Sequence, residues 1–224
     1  MRLSSAWKPW PHSIMQTDII QTVARYTEKT MGQEGFHYVS AIVANCKILA
    51  LELETLEESP ITLDLDALVI AAYLHDISIV KHGYQEHHVT SAEMAVDFLR
   101  ECDTDVERIN KVEQAILTHM EIVPIEERNA AISEGQVLYD ADKLGRLSGL
   151  AVVTSLIEFG AHYPNQAVTS EILATILHHI EERFIELYQS LYTEPARTMA
   201  RDKFNRSLAF LDGVIEHLSD ATPV

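Results

Sequence analysis

Glycine and proline are scarce in this chain, at 8 and 7 of 224 residues, and they fall between segments of helical periodicity. Strand-like alternation of apolar and polar residues is almost absent, which disfavours sheets and predicts an all-α fold. Cysteine is rarer still. Cys46 and Cys102 are the only two, they form no CxxC, and both sit inside apolar helical patterns. That excludes a disulfide framework and a thiolate zinc site, and predicts reduced, buried thiols in a cytoplasmic protein. Basic residues are outnumbered, 17 against 34 acidic ones, for a formal net charge of −17. Such a surface repels polyanions and argues against nucleic-acid binding, although metal ions or local basic groups can still admit a small anionic substrate. Long apolar runs are missing too: Leu68–Leu74 is far too short to span a bilayer. The opening MRLSSAWKPWPH lacks the apolar stretch of a signal peptide. A soluble protein with no membrane partner is expected.

What is present is helical. A hydrophobic content of 47% over this length supports one substantial core, and no linker demands a second domain, so residues 1–224 read as a single unit. Helices are expected at about 13–30 and 37–54, separated by a break at 31–35. Another runs to about His75 from a cap at Asp64, and its sequence LDALVIAAYLH is apolar nearly all round, as a central helix should be. The stretch 76–86 reads as a loop. Further helices are expected at about 90–102, 106–120, 137–159, 169–192 and 195–219. The last two are long and amphipathic and could supply a homodimer face.

Eleven histidines are many, and several stand at predicted helix boundaries beside acidic residues. His75 and Asp76 end the most apolar helix, where a buried carboxylate needs a strong compensating partner such as a divalent metal. His37, His87, His88, His119, Asp140 and Asp142 also lie at boundaries. Imidazole and carboxylate donors suit Fe, Mn, Zn, Co or Ni, with Mg among the candidates. The pair His178-His179 with Glu181 and Glu182 reads as a solvated helix face.

The order His37, His75-Asp76, Asp142 resembles the H…HD…D signature of the HD-domain superfamily of metal-dependent phosphohydrolases. The flanks GFHYVSAIVANC, AAYLHDIS and VLYDADKLGRLSG carry that likeness, and HHVTSAEMAVDFL with AILTHM resembles the further histidine positions of its dinuclear branch. The signature lies within 37–142; helices across 149–219 would pack on the same HD-like bundle. The resemblance implies that His37, His75, Asp76 and Asp142 hold a first metal, with His88 and His119 completing a second and Asp76 bridging. His88 is preferred over His87 by the family's spacing to Ser91-Ala92, and Asp142 over Asp140 by the Ala-Asp-x-Leu context. Asp140 would then orient a ligand or a water. Ser78 stands where many relatives have glycine, and the lysine that follows that glycine in the phosphodiesterases is missing, which argues against cyclic-dinucleotide cleavage.

The implied function is hydrolysis of a small phosphorylated substrate, such as a nucleotide, by metal-activated water bound at Asp76. Lys81, His82 and Lys143 are candidates for protonating the leaving oxygen or contacting phosphate. Two alternatives share the same ligands: a diiron oxygenase of the superfamily, and a nucleotide-sensing module without turnover.

Overall fold

The computed structural model describes residues 19–56, 61–124, 131–147, 149–162 and 169–220. Among these every regular element is a helix: α1 (Ile19–Glu54), α2 (Leu65–Leu74), α3 (Ile79–His82), α4 (His87–Glu101) and α5 (Val106–Thr118), followed by α6 (Glu134–Arg146), α7 (Gly149–His162), α8 (Ser170–Ser190) and α9 (Glu194–Asp220). The expected all-α architecture is therefore the observed one. Residues 13–18 of the first expected helix lie outside the described residues.

The expected break at 31–35 is a kink inside α1. Gly32 there adopts φ 75° and ψ 177°, a region essentially closed to residues with a Cβ. α2 is central. Ala67 to Ala72 and Leu74 are all buried, and α1, α4, α5 and α6 pack around it. Its Asp64 cap accepts the Ala67 N–H at 3.0 Å, binds Lys111 of α5 at 3.1 Å, and donates its own N–H to Glu134 of α6 at 2.9 Å. The start of the central helix is thus tied to both neighbours.

α1 is long and apolar enough, by length and composition alone, to cross a membrane. Its apolar side, from Val39 through Cys46 to Leu53, is instead buried in the common core against α2 and α6. Each such leucine or isoleucine contributes roughly 1.5–3 kcal/mol on burial. At the other end of the core α6 leans hard on α5. A Cβ on Gly135 would lie 2.0 Å from Thr118 Oγ1 and 3.3 Å from the Ala115 carbonyl. Only glycine permits that approach, and it brings the end of α5, where His119 sits, against α6.

Two expectations are corrected. The single helix expected over 137–159 is two: α6 starts earlier, at a capping box in which Ser133 and Gln136 bond reciprocally, and stops at Arg146. Leu147 leaves the helix at φ −88°, ψ 53° and is fully buried. The expected loop 76–86 contains the short helix α3.

The corner between α8 and α9 is held by one side chain of α6. Asp140 accepts the N–H groups of Tyr192 and Thr193 at 2.7 and 2.8 Å and the Thr193 hydroxyl at 2.7 Å. Tyr139, beside it, donates to Ser190 Oγ at 2.7 Å.

Candidate metal centre

Three histidines reach the centre by the same local device. At the end of α2, His75 Nδ1 lies 2.8 Å from the Ala72 carbonyl; at the end of α5, His119 Nδ1 lies 2.5 Å from that of Ile116. His87, opening α4, places Nδ1 2.8 Å from the Tyr84 carbonyl. At the C-terminal ends of α2 and α5 carbonyls lack intrahelical partners, and an imidazole three residues on can donate to one; for His87 the carbonyl belongs to the turn that precedes α4. Each ring is then committed through Nδ1–H and presents an Nε2 lone pair.

Two of those lone pairs face Asp76. His75 Nε2 is 3.3 Å from Asp76 Oδ2, and His87 Nε2 is 3.3 Å from Oδ1. His75, Asp76 and His119 each offer a donor atom within 4.8 Å of the other two, and all three are buried. His75 Nε2 has no hydrogen-bond partner despite its nearness to Asp76. A buried acceptor lone pair pointed beside a carboxylate is costly unless a cation stands between them. The donor set therefore fits a divalent metal, with nitrogen and oxygen ligands and no sulfur.

The electrostatics agree. Burial opposes the charge on Asp76, but His75, with help from His87 and His119, outweighs it and holds the carboxyl well below the usual range. For His75, burial acts to lower the pKa and Asp76 more than reverses it. Asp76, beside its ring, raises His87 by favouring the protonated form. Burial, reinforced by the positive potential of His75, lowers His119 to about 3 and keeps it uncharged.

Asp142 approaches from α6 and is almost fully buried. Its Oδ1 accepts the Tyr38 hydroxyl at 2.9 Å, while Oδ2 takes Lys143 Nζ at 2.6 Å and Arg146 at 3.5 Å. Burial works against its ionisation, and Lys143 and Arg146 overcome that.

The structure separates several expected ligands. His37 is exposed, because it shares a helix face with exposed Ala41 and Ala44. Its neighbour Tyr38, one step round the helix, turns towards Asp142 instead. His87, not His88, faces Asp76. The reason is the turn before α4: Glu86 takes a left-handed conformation (φ 49°). Ser78, in the position of the familiar glycine, ties that turn down by donating to the His87 carbonyl at 3.0 Å and accepting from Ser91 Oγ at 2.9 Å. Asp140 is not among the His75, Asp76 and His119 group; it bonds the α8–α9 corner, and burial pushes it up to about 6.

The structure places the expected catalytic cations off the walls of the adjoining cavity. Lys143 is only 5% exposed and lies between Asp142 and the Tyr139 ring. Lys81 and His82 are exposed on α3, outside the walls of the adjoining cavity. That cavity, about 1100 Å³, opens beside the centre between α6, α7 and α8. Tyr38, Tyr84 and Arg146 form its near wall. Tyr38 was legible in principle: it falls in phase with the buried Ile42 and Cys46, four and eight residues on.

Known proteins place this arrangement. The model of the HD domain matches residues 15–147. Solved structures of low identity share the fold. An HD-superfamily hydrolase from Bacillus thuringiensis has a TM-score of 0.63 at 18% identity, covering 92% of this chain and 100% of its own. A Lactobacillus plantarum protein scores 0.63 at 15% identity, covering 93% and 99%. YpgQ of Bacillus subtilis, in complex with ADP, scores 0.61 at 16% identity, covering 88% and 97%. No curated protein gives a significant match.

Proposed function

The chain belongs to the HD domain family, and from that membership we propose that it is a cytoplasmic, metal-dependent phosphohydrolase acting on a small phosphate ester, a nucleotide being one candidate. One observation carries the reading: His75 and His87 place Nε2 3.3 Å from Asp76, His119 offers a further donor beside them, and Arg146 joins the neighbouring Asp142 to a cavity wall. The ADP held by YpgQ lends support to a nucleotide-like substrate. Two unpaired cysteines suit a reducing compartment.

His75, Asp76 and His119 would hold the ion, with His87 and Asp142 completing its surroundings. When bound, such a metal supplies hydroxide near neutral pH by lowering the pKa of its water from 15.7 to about 7. The chain's own groups do the rest. The Ala72, Tyr84 and Ile116 carbonyls fix the three rings, so no reorganisation is needed as charge develops. Arg146, half-exposed at the cavity wall, is placed to bind phosphoryl oxygens and offset their charge. Lys143 neutralises Asp142 from behind. Burial and the Asp142 carboxylate raise the Tyr38 phenol, keeping its proton on Oη and its hydrogen bond to Asp142 in place.

The test is phosphate release from a panel of phosphate esters with Mn, Fe, Co and Mg. Asp76→Ala should lose at least about 100-fold in rate while remaining folded. Unchanged turnover in that variant would remove the proposal. Oxygen uptake with bound iron and a polyol would indicate the diiron alternative, and ligand stabilisation without turnover the sensing one.

A further inference from the structure

One face of α8 lines the cavity for most of the helix. Ile172, Ile176, Ile180, Phe184 and Leu187 recur at helical spacing along it, and Phe159 of α7 stands opposite. From Ile172 to Leu187 this face runs for about 22 Å at ~1.5 Å per residue. Its Leu187 end is the one anchored to α6, through Tyr139 with Ser190 and through Asp140 with Tyr192 and Thr193. The near wall is shared with the metal centre, since Tyr38 and Arg146 both touch Asp142 and both line the cavity. A continuous path therefore leads from a cationic, metal-binding end along an apolar wall.

The charges lining that path constrain its occupant. Arg146 and Arg183 are matched by Glu158 and Glu171, so the walls hold no surplus of positive charge for a second anionic group. Arg146 is already shared with Asp142. A body carrying further phosphates would meet two carboxylates on a chain of net charge −17. An uncharged, apolar body would bury area along α8 without that cost.

Resting on the phosphohydrolase reading, we propose that the substrate class is a phosphate ester with an elongated, largely apolar body. Its phosphate lies at Arg146 beside His75 and Asp76, and its body lies along the Ile172–Leu187 face of α8. Ile176 and Phe184 select that body; Arg146 selects the head.

The proposal is tested by binding rather than turnover, with n-alkyl phosphonates, which cannot be hydrolysed as esters. Calorimetry on the manganese-loaded protein, from butyl to octyl phosphonate and below micelle formation, should show Kd falling about fourfold per methylene. Ile176→Glu should flatten that dependence while leaving manganese affinity unchanged, which also shows that the variant is folded. Leu187→Trp, which fills the cavity without adding charge, should cut the series short at the longer chains. A Kd independent of chain length, or absence of binding, overturns the proposal. So does ADP binding tighter than octyl phosphonate and indifferent to Ile176→Glu. If the chain-length dependence appears but no phosphate ester is ever hydrolysed, the cavity assignment stands and the phosphohydrolase reading fails. Hydrolysis without chain-length dependence leaves the phosphohydrolase reading standing and overturns the cavity assignment.

Discussion

At the scale of single residues, the centre depends on histidines whose protonation is set by their surroundings. His119 illustrates the sign. Its folded pKa, about 3, lies below the ordinary value of 6.5, so the unfolded chain takes up a proton that the native state refuses. Its contribution is present above pH 6.5 and is lost as pH falls towards 3. In metal-free protein, the stability advantage of wild type over His119→Gln should therefore shrink by roughly 2 kcal/mol or more between about pH 6 and about pH 4, at about 1.4 kcal/mol per pH unit. Urea denaturation at the two pH values measures it, and a gap that widens on acidification contradicts the assignment. His75 and His87 are raised by Asp76 and act in the opposite sense, so the comparison with the variant is needed to isolate His119.

The same scale marks the limit of what could be read in the sequence. The pair His75-Asp76 and His119 stand out in the sequence because each closes a helix, whereas Asp142 lies inside α6 and stands out by its Ala-Asp-x-Leu context alone. The choice between adjacent residues was harder, since neighbours on a helix point about 100° apart. For His37 and Tyr38 the phase did contain the answer, because Tyr38 aligns with Ile42 and Cys46 while His37 aligns with exposed Ala41 and Ala44. For His87 and His88 it did not. Positions 91 and 95 behind the one, and 92 and 96 behind the other, are all buried, and the left-handed Glu86 and the Ser78–Ser91 contact decide. Lys143 looked available because nothing local shows that α6 turns it inwards.

At the scale of elements, the helices follow from apolar periodicity, whereas their joints depend on long-range contacts. The Asp64 cap is local and was readable. The break at Leu147 was not, because the burial of that leucine depends on helices distant in the sequence. Asp140 is the joint whose removal should be felt most. Its carboxylate takes three hydrogen bonds from the α8–α9 corner, and hydrogen bonds to a charged group contribute about 1.5–3 kcal/mol each. Burial of the charge offsets part of that, as the pKa near 6 records. Asp140→Ala should cost roughly 3 kcal/mol, seen as a lower denaturation midpoint, and should loosen α8 from α6 while leaving metal affinity within about threefold. Loss of the metal without loss of stability would mean that Asp140 acts at the centre after all.

At the scale of the whole molecule, a net charge of −17 surrounds the proposed phosphate site. On that proposal two arginines and a bound metal must attract substrate against the field. Salt screens the long-range repulsion over about 10 Å at 0.1 M but reaches the enclosed centre less. For a phosphate ester, kcat/KM should therefore rise as ionic strength increases from about 0.01 to about 0.15 M, and a steep fall would show that local cations dominate the approach.

The central claim is that helix ends far apart in the chain converge to hold a metal through His75, Asp76, His87 and His119, without His37. Elemental analysis of the purified wild type beside Asp76→Ala, His87→Ala and His37→Ala tests it most directly. The account predicts stoichiometric metal in the wild type and in His37→Ala, depletion in His87→Ala, and almost none in Asp76→Ala. A metal-replete Asp76→Ala, or a His37→Ala protein emptied of metal, would contradict it.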